Sequence, residues 1–231
     1  NKYPIKIKTN KYVSGKKYDG IKEFYLHMNF QDPSMLREKL TYDICIDLDL
    51  FSLRTAFAKV YINDVYWGVF TIVEGKDEMF KQVFKNRDMD AVESLDFGDM
   101  CFISNNPDDY NFETNGWWPT YQLENGNSLT AWPLFTTMID KANNTSSETY
   151  IDTVSKYLNL DHFFKLLAIN VFLMNFDSYI AFRGNQIYAY DTIENIWQII
   201  PWDFNASFGL WNTNNYSPSE YAMLPDEVIN G

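Results

Sequence analysis

Asp177, Asn185 and Asp203 are the residues of this chain whose types and order could do chemistry together. Asp177 stands in Asn175-Phe176-Asp177-Ser178, just after a strongly apolar stretch. Asn185 opens the segment Asn185-Gln186-Ile187-Tyr188. Asp203 falls in Ile200-Pro201-Trp202-Asp203-Phe204-Asn205. Two carboxylates and an amide oxygen are hard oxygen donors, suited to Mg²⁺ or a similar cation. Phosphoryl transfer calls for such a set. One acid orients the attacking hydroxyl, and further oxygens hold a metal that shields the phosphates.

The neighbouring elements must bring these residues together. Residues 160–175 carry Phe163, Phe164, Leu166, Leu167, Ile169 and Val171, which predicts a helix apolar on most sides and therefore buried. That helix would deliver Asp177 at its C-terminal end. Residues 186–190 and 196–200 read as two strands joined by a turn over 191–195. A hairpin brings the residue before its first strand and the residue after its second to one end. Asn185 and Asp203 are therefore expected to be neighbours. Ordinary protein kinases use the same types in the same order, an Asp, an Asn a few residues on, and a later Asp after a strand. The Asp-to-Asn interval is longer here. On residue type alone, an Asp after a helix is more often a cap or turn residue.

Upstream, residues 3–9 alternate as a strand, and residues 20–29 read as a second one. Asp32-Pro33-Ser34 reads as a helix start, with Asp32 as cap and the helix running toward Leu50. Residues 57–62 and 66–73 form a hairpin about Asn63-Asp64, and residues 77–84 a short helix. Residues 86–127, rich in Asp, Asn, Gly and aromatics, read as an irregular junction holding one or two short strands. Helices are expected over 129–141 and 148–158. The fold class is therefore α+β, in two lobes: a small strand-rich N-lobe of about residues 1–75 and a larger, mainly helical C-lobe of about residues 128–231.

The wording of these segments resembles the CotH family. The run from Asp177 to Tyr190, then Ile200-Pro201-Trp202-Asp203-Phe204-Asn205-Ala206-Ser207-Phe208-Gly209, looks like its signature. Val60-Tyr61-Ile62-Asn63-Asp64, Trp67-Gly68-Val69-Phe70 closing on Glu74, and the stretch from Asp32 to Leu40 also fit. The resemblance implies an atypical, minimal protein-kinase fold. It implies transfer of the ATP γ-phosphate to Ser residues of secreted or spore-coat proteins, with Mg²⁺, or Ca²⁺ or Mn²⁺, as the metal. Asp177 would be the catalytic acid, Asp203 the metal-binding Asp, and Asn185 a further metal contact. The expected location is extracellular, at the cell surface or in a spore coat. The family's terminal segments are expected beyond both ends of this single domain, residues 1–231. Asn205 stands where the family often has Asp, and Met100-Cys101-Phe102-Ile103 lacks the family's Lys.

A kinase holds phosphates with a strand Lys paired to a helix Glu. Lys6 or Lys8 with Glu38 are the candidates, although a solvated strand face is the commoner fate of any one Lys. Glu74-Gly75 ends a strand where an interlobe hinge would lie, so its backbone is a candidate adenine contact; an ordinary turn is an equal reading. Phe57-Ala58-Lys59-Val60 superficially matches the ordinary kinase Lys strand, but a hairpin rather than a helix follows. No Gly-rich phosphate loop or Gly-x-Ser-x-Gly elbow is present. His27 and His162 are the only histidines, and neither joins a cluster with zinc spacing. The Trp117-Trp118 pair offers a sugar-stacking alternative, with core packing the commoner fate. A surface adhesion domain without turnover is the other competing reading. Aromatics make up 18% of the chain, which argues for a packed globule. The net charge of −12 argues against nucleic acid or an anionic membrane as the main partner. No apolar run is long enough to span a membrane. Cys45 and Cys101 allow one disulfide or two free thiols.

Overall fold

Alternating and helical apolar patterns resolve into two compact units, residues 1–87 and 88–231. The computed structural model describes residues 3–84, 89–95, 98–111, 121–180 and 184–210. Trp117 and Trp118 lie outside the described residues. The fold is mixed α+β, with two four-stranded antiparallel sheets and five α-helices among the described residues, compatible with a two-lobe kinase-like plan.

In the first unit, β1 (Ile5–Lys8) and β2 (Glu23–His27) pair antiparallel, and β4 (Val65–Glu74) sits between β2 and β3 (Thr55–Ile62). The β3–β4 hairpin forms because Asn63 and Asp64 accept positive φ, 50° and 62°, as a tight primed turn requires. Trp67 is the extra residue of a bulge: Val60 pairs with Gly68 but Tyr61 with Tyr66. Gly68 takes φ 122°, a conformation open to glycine.

Helix α1 spans Arg37–Asp47, four residues later than the Asp32 signal suggested. Asp32 still serves the helix, at a distance. Its Oδ2 accepts the Arg37 N–H at 2.9 Å, while its Oδ1 accepts the Ser34 N–H at 3.0 Å. Met35, at φ 59°, reverses the chain between cap and helix. Burial alone would raise the Asp32 carboxyl, but donors from Ser34 and Arg37 outweigh it and hold it below the usual range. Helix α2 (Lys76–Val83) closes the unit.

In the second unit, the late hairpin of β7 (Gln186–Asp191) and β8 (Ile196–Pro201) does not stand alone. Strands β5 (Ala91–Ser94) and β6 (Tyr121–Asn125), drawn from the stretch read as a junction, extend it in the order β6-β5-β7-β8. Helices α3 (Ser128–Asn144), α4 (Tyr150–Val154) and α5 (Leu160–Phe172) follow in sequence between β6 and β7. The core gathers around Phe135 of α3, which is fully buried. Its ring lies 5.0 Å from Tyr121, 5.3 Å from Tyr188 and 5.5 Å from Trp197, so one side chain locks α3 onto β6, β7 and β8.

Helix α5 departs from the expectation of burial on most sides. Leu166, Ile169 and Asn170 are buried, but Phe164 is 49% and Phe172 69% exposed. One face packs along β8, and the opposite face carries apolar rings in the open. Its start is fixed by backbone pairing: the Asn159 N–H reaches the Trp197 carbonyl at 2.9 Å, and the Trp197 N–H reaches that of Tyr157 at 2.8 Å. Asn159 also caps the helix by accepting the His162 N–H.

Candidate functional site

The β7–β8 register pairs Gln186 with Pro201. Asn185, one residue before, and Asp203, two residues after, therefore leave the same end of the hairpin. The turn at the other end is built as its residues suggest: Asp191 Oδ1 accepts the Ile193 N–H at 2.8 Å, and Asn195 takes φ 54°.

Two backbone hydrogen bonds bring the segment after α5 to that end. The Gly184 N–H donates to the Ser178 carbonyl at 3.2 Å, linking the residue beside Asp177 to the residue beside Asn185. The Phe208 N–H donates to the Leu173 carbonyl at 2.6 Å, linking the segment after Asp203 to the end of α5. The Asp177 segment is itself rigidly cross-braced. Asn175 donates from Nδ2 to Asn170 Oδ1 at 3.1 Å and accepts the Asp177 N–H at 3.2 Å. Ser178 Oγ donates to the Asn175 carbonyl at 2.7 Å. Asn175, Asp177 and Ser178 are all buried.

Asp203 is half-buried and adopts φ 56°, ψ 67°. The left-handed conformation costs an L-residue roughly 1–2 kcal/mol, which the surrounding contacts must offset. Phe208 also takes a positive φ, 59°, so the turn after β8 holds two such residues. Two buried oxygens on residues near the set in sequence, Gln186 Oε1 and Ser207 Oγ, have no hydrogen-bond partner among the described residues. Among the described residues no group of three or more His, Cys, Asp or Glu could hold a metal. Two carboxylates and an amide oxygen still fit Mg²⁺, which keeps waters and takes phosphate oxygens beside one or two carboxylates.

The remaining candidates lie in the first unit, and their partners differ from the expected ones. Lys6 and Lys8 do not pair with Glu38. Their Nζ atoms lie 2.7 Å and 2.9 Å from the two oxygens of Glu23, the residue that pairs with Lys8 across β1 and β2. The reason is register: Lys6 and Lys8 share a sheet face with Glu23 and Tyr25, so the nearest carboxylate is on the adjacent strand. Burial alone would lower the Lys6 ammonium, but hydrogen bonds to Glu23 and Tyr25 reverse that and raise it. Burial alone would raise Glu23, but hydrogen bonds from Lys6 and Lys8 hold it below the usual range. Lys6 also stands 5.1 Å over the Tyr25 ring.

Glu38 instead takes Nδ1 of His27, at 2.8 Å and 3.0 Å to its two oxygens. Glu74 is fully engaged. Its carboxylate accepts Arg54 Nη2 at 2.6 Å, Arg54 Nε at 3.1 Å and Gln82 Nε2 at 2.8 Å. Its backbone N–H goes to the Arg54 carbonyl, and that of Gly75 to Glu23. Neither N–H is therefore open for adenine. Sequence reasoning passed over Glu23 and Asn175. Glu23 was findable from the alternation Glu23, Tyr25, His27 on one strand face. Asn175 gives no signal until its hydrogen bonds are seen.

Comparison with known proteins adds a separate line of support. The profile of the CotH kinase protein family matches residues 1–228. The inner spore coat protein H of Bacillus subtilis (strain 168) is 27% identical over 207 residues, covering 84% of this chain and 52% of that protein. The invasin CotH2 of Rhizopus delemar is 23% identical over 192 residues, covering 80% of this chain and 31% of that protein. The chain thus spans about half the length of the first relative and a third of the second.

Proposed function

The chain belongs to the CotH kinase protein family, and from that premise we propose that it transfers the γ-phosphate of ATP to Ser hydroxyls of secreted, spore-coat or cell-surface proteins. The observation that carries the reading is the β7–β8 register, from which Asn185 and Asp203 leave the same hairpin end, with the Asp177 segment tied there by backbone hydrogen bonds. Asp177 orients the substrate hydroxyl and accepts its proton as the phosphorus–oxygen bond forms. Its braced, buried segment holds that carboxylate in place before substrate arrives. Asp203 and Asn185 supply the oxygen ligands for a divalent cation. A bound Mg²⁺ would neutralise charge on the phosphates as it does in other phosphoryl-transfer sites. Asn205, neutral where the family often has Asp, leaves the cation side with one carboxylate fewer.

The test is phosphate incorporation from γ-labelled ATP into Ser-containing peptides. Incorporation that vanishes in Asp177→Ala and Asp203→Ala, with melting curves preserved, supports the reading. Full activity in both variants sinks it. One observation favours a second reading, surface adhesion. The β3–β4 hairpin presents Tyr61, Tyr66 and Trp67 to solvent, and a relative is named an invasin. Binding to host-type or wall surfaces that survives Asp177→Ala but not Tyr66→Ala would support it.

A further inference from the structure

Charge is very unevenly distributed along this chain. Residues 1–22 hold seven lysines and one aspartate, a net of +6, so with −12 overall the remaining 209 residues carry −18. Much of that positive charge sits in the connection from β1 to β2. Lys11, Lys16 and Lys17 are exposed there, interleaved with Tyr12 at 89%, Val13 at 58% and Tyr18 at 67% exposure. Lys6 and Lys8 are taken by Glu23, but no carboxylate among the described residues pairs with Lys11, Lys16, Lys17 or Lys22. Among the described residues the Lys11 ammonium rests on the Tyr12 ring alone, at 5.5 Å.

The connection is built, not loose. Thr9 staples its base: its N–H and Oγ1 both reach the Lys22 carbonyl, and Oγ1 also donates to the Lys16 carbonyl at 2.9 Å. Tyr18 and Ile21 exchange both backbone hydrogen bonds at 2.9 Å around Asp19 and Gly20, which take φ 47° and 81°. The Tyr18 ring packs 6.1 Å from Phe24 of β2. Unpaired ammonium groups on a fixed frame, beside exposed rings, are an arrangement that costs little further ordering when an anionic partner arrives.

We infer that this connection, residues 9–22, is a docking surface for a short acidic peptide segment of a partner protein. Carboxylates of the partner pair with Lys11, Lys16 and Lys17, and its apolar or aromatic residues lie against Tyr12, Val13 and Tyr18. Charge complementarity selects a peptide over larger polyanions. At a net charge of −12 the chain as a whole repels an extended polyanion such as nucleic acid or an anionic bilayer, whereas a short peptide is governed by the charges it touches. The residues of this surface belong to the first unit, and the carboxylates proposed for phosphoryl transfer to the second.

The experiment is fluorescence anisotropy with a fluorescein-labelled peptide of Glu, Asp and Tyr, against the intact chain and the variant Lys11→Glu/Lys16→Glu/Lys17→Glu. Salt-dependent binding to the wild type is expected, weakened at least about tenfold in the triple variant and unchanged in Asp177→Ala. Thermal melting of the variant should match the wild type, since none of the three side chains makes an ion pair among the described residues. Equal peptide binding by the triple variant, or none by the wild type, overturns the inference. So does displacement of the peptide by ATP at its own binding concentration, which would place the connection in a nucleotide site. Tighter binding of a single-stranded oligonucleotide or of phosphatidylserine vesicles than of the peptide also overturns it.

Discussion

Replacing Phe135 with Ala should damage the second unit more than any surface change and do so measurably. The side chain is fully buried and meets four rings, Tyr121, Trp132, Tyr188 and Trp197, at centroid distances of 5.0, 6.2, 5.3 and 5.5 Å. Truncation of a buried Phe to Ala costs about 3–5 kcal/mol, combining lost transfer energy with the cavity left behind. Ring pairs add roughly 0.5–1.5 kcal/mol each in isolation, but they share one side chain and do not sum. About 4 kcal/mol is the resulting expectation. With a urea dependence of about 2 kcal/mol per molar, the midpoint should fall by about 2 M. Trp197, in contact with Phe135, is the natural fluorescent reporter, and Leu129→Ala on the same helix is the control, since Leu129 is 83% exposed. The control should stay within about 0.5 kcal/mol. A Phe135→Ala midpoint that moves no further than the control would refute the assignment of Phe135 as the residue that locks α3 to the sheet.

Two further outcomes follow from the first unit and the thiols. Glu23→Gln should lower the melting temperature modestly near neutral pH, because each pair to a half-exposed lysine is worth roughly 0.2–1 kcal/mol. Glu23 is held below its ordinary value, so its contribution is present above the carboxylate range and lost as pH falls through the folded value. Lys6 is raised, so its share is present below its ordinary 10.5 and lost only as pH rises through the folded value. The gap between wild type and variant in a pH series of melting curves should therefore close in acid; a gap that stays constant there contradicts the pairing. Both thiols are free, with burial pushing Cys45 up to about 12 and burial, then Asp99, pushing Cys101 up to about 11. In native protein near neutral pH, alkylation followed by mass spectrometry should label exposed Cys101 more slowly than an unperturbed thiol and Cys45 only after unfolding. Rapid native labelling of Cys45 would contradict its burial.

What the sequence made legible was local. The Asn63-Asp64 and Asp191–Asn195 turns carry their own chemistry, so both hairpins, and with them the departure of Asn185 and Asp203 from one hairpin end, could be read from residue types. Asp32 was recognisable as a capping residue, but not that it would act through a reversal at Met35. The pairing of β5 with β7 joins residues far apart in the chain, which no local period reveals. Lysine partnership depended on strand register, so Glu23 took the place expected for Glu38. In α5 the apolar residues ran nearly all round, yet packing against β8 used one face and left Phe164 and Phe172 in the open.

The central claim, that Asp177, Asn185 and Asp203 form one metal-assisted phosphoryl-transfer site, is tested most directly by calorimetric titration with ATP, with and without Mg²⁺, paired with a transfer assay on the same samples. The account predicts metal-dependent nucleotide binding in the wild type, at least about tenfold weaker in Asp203→Ala. In Asp177→Ala binding should persist while transfer to Ser is lost. Metal-dependent binding of equal strength in wild type and Asp203→Ala, with transfer intact in Asp177→Ala, would contradict it.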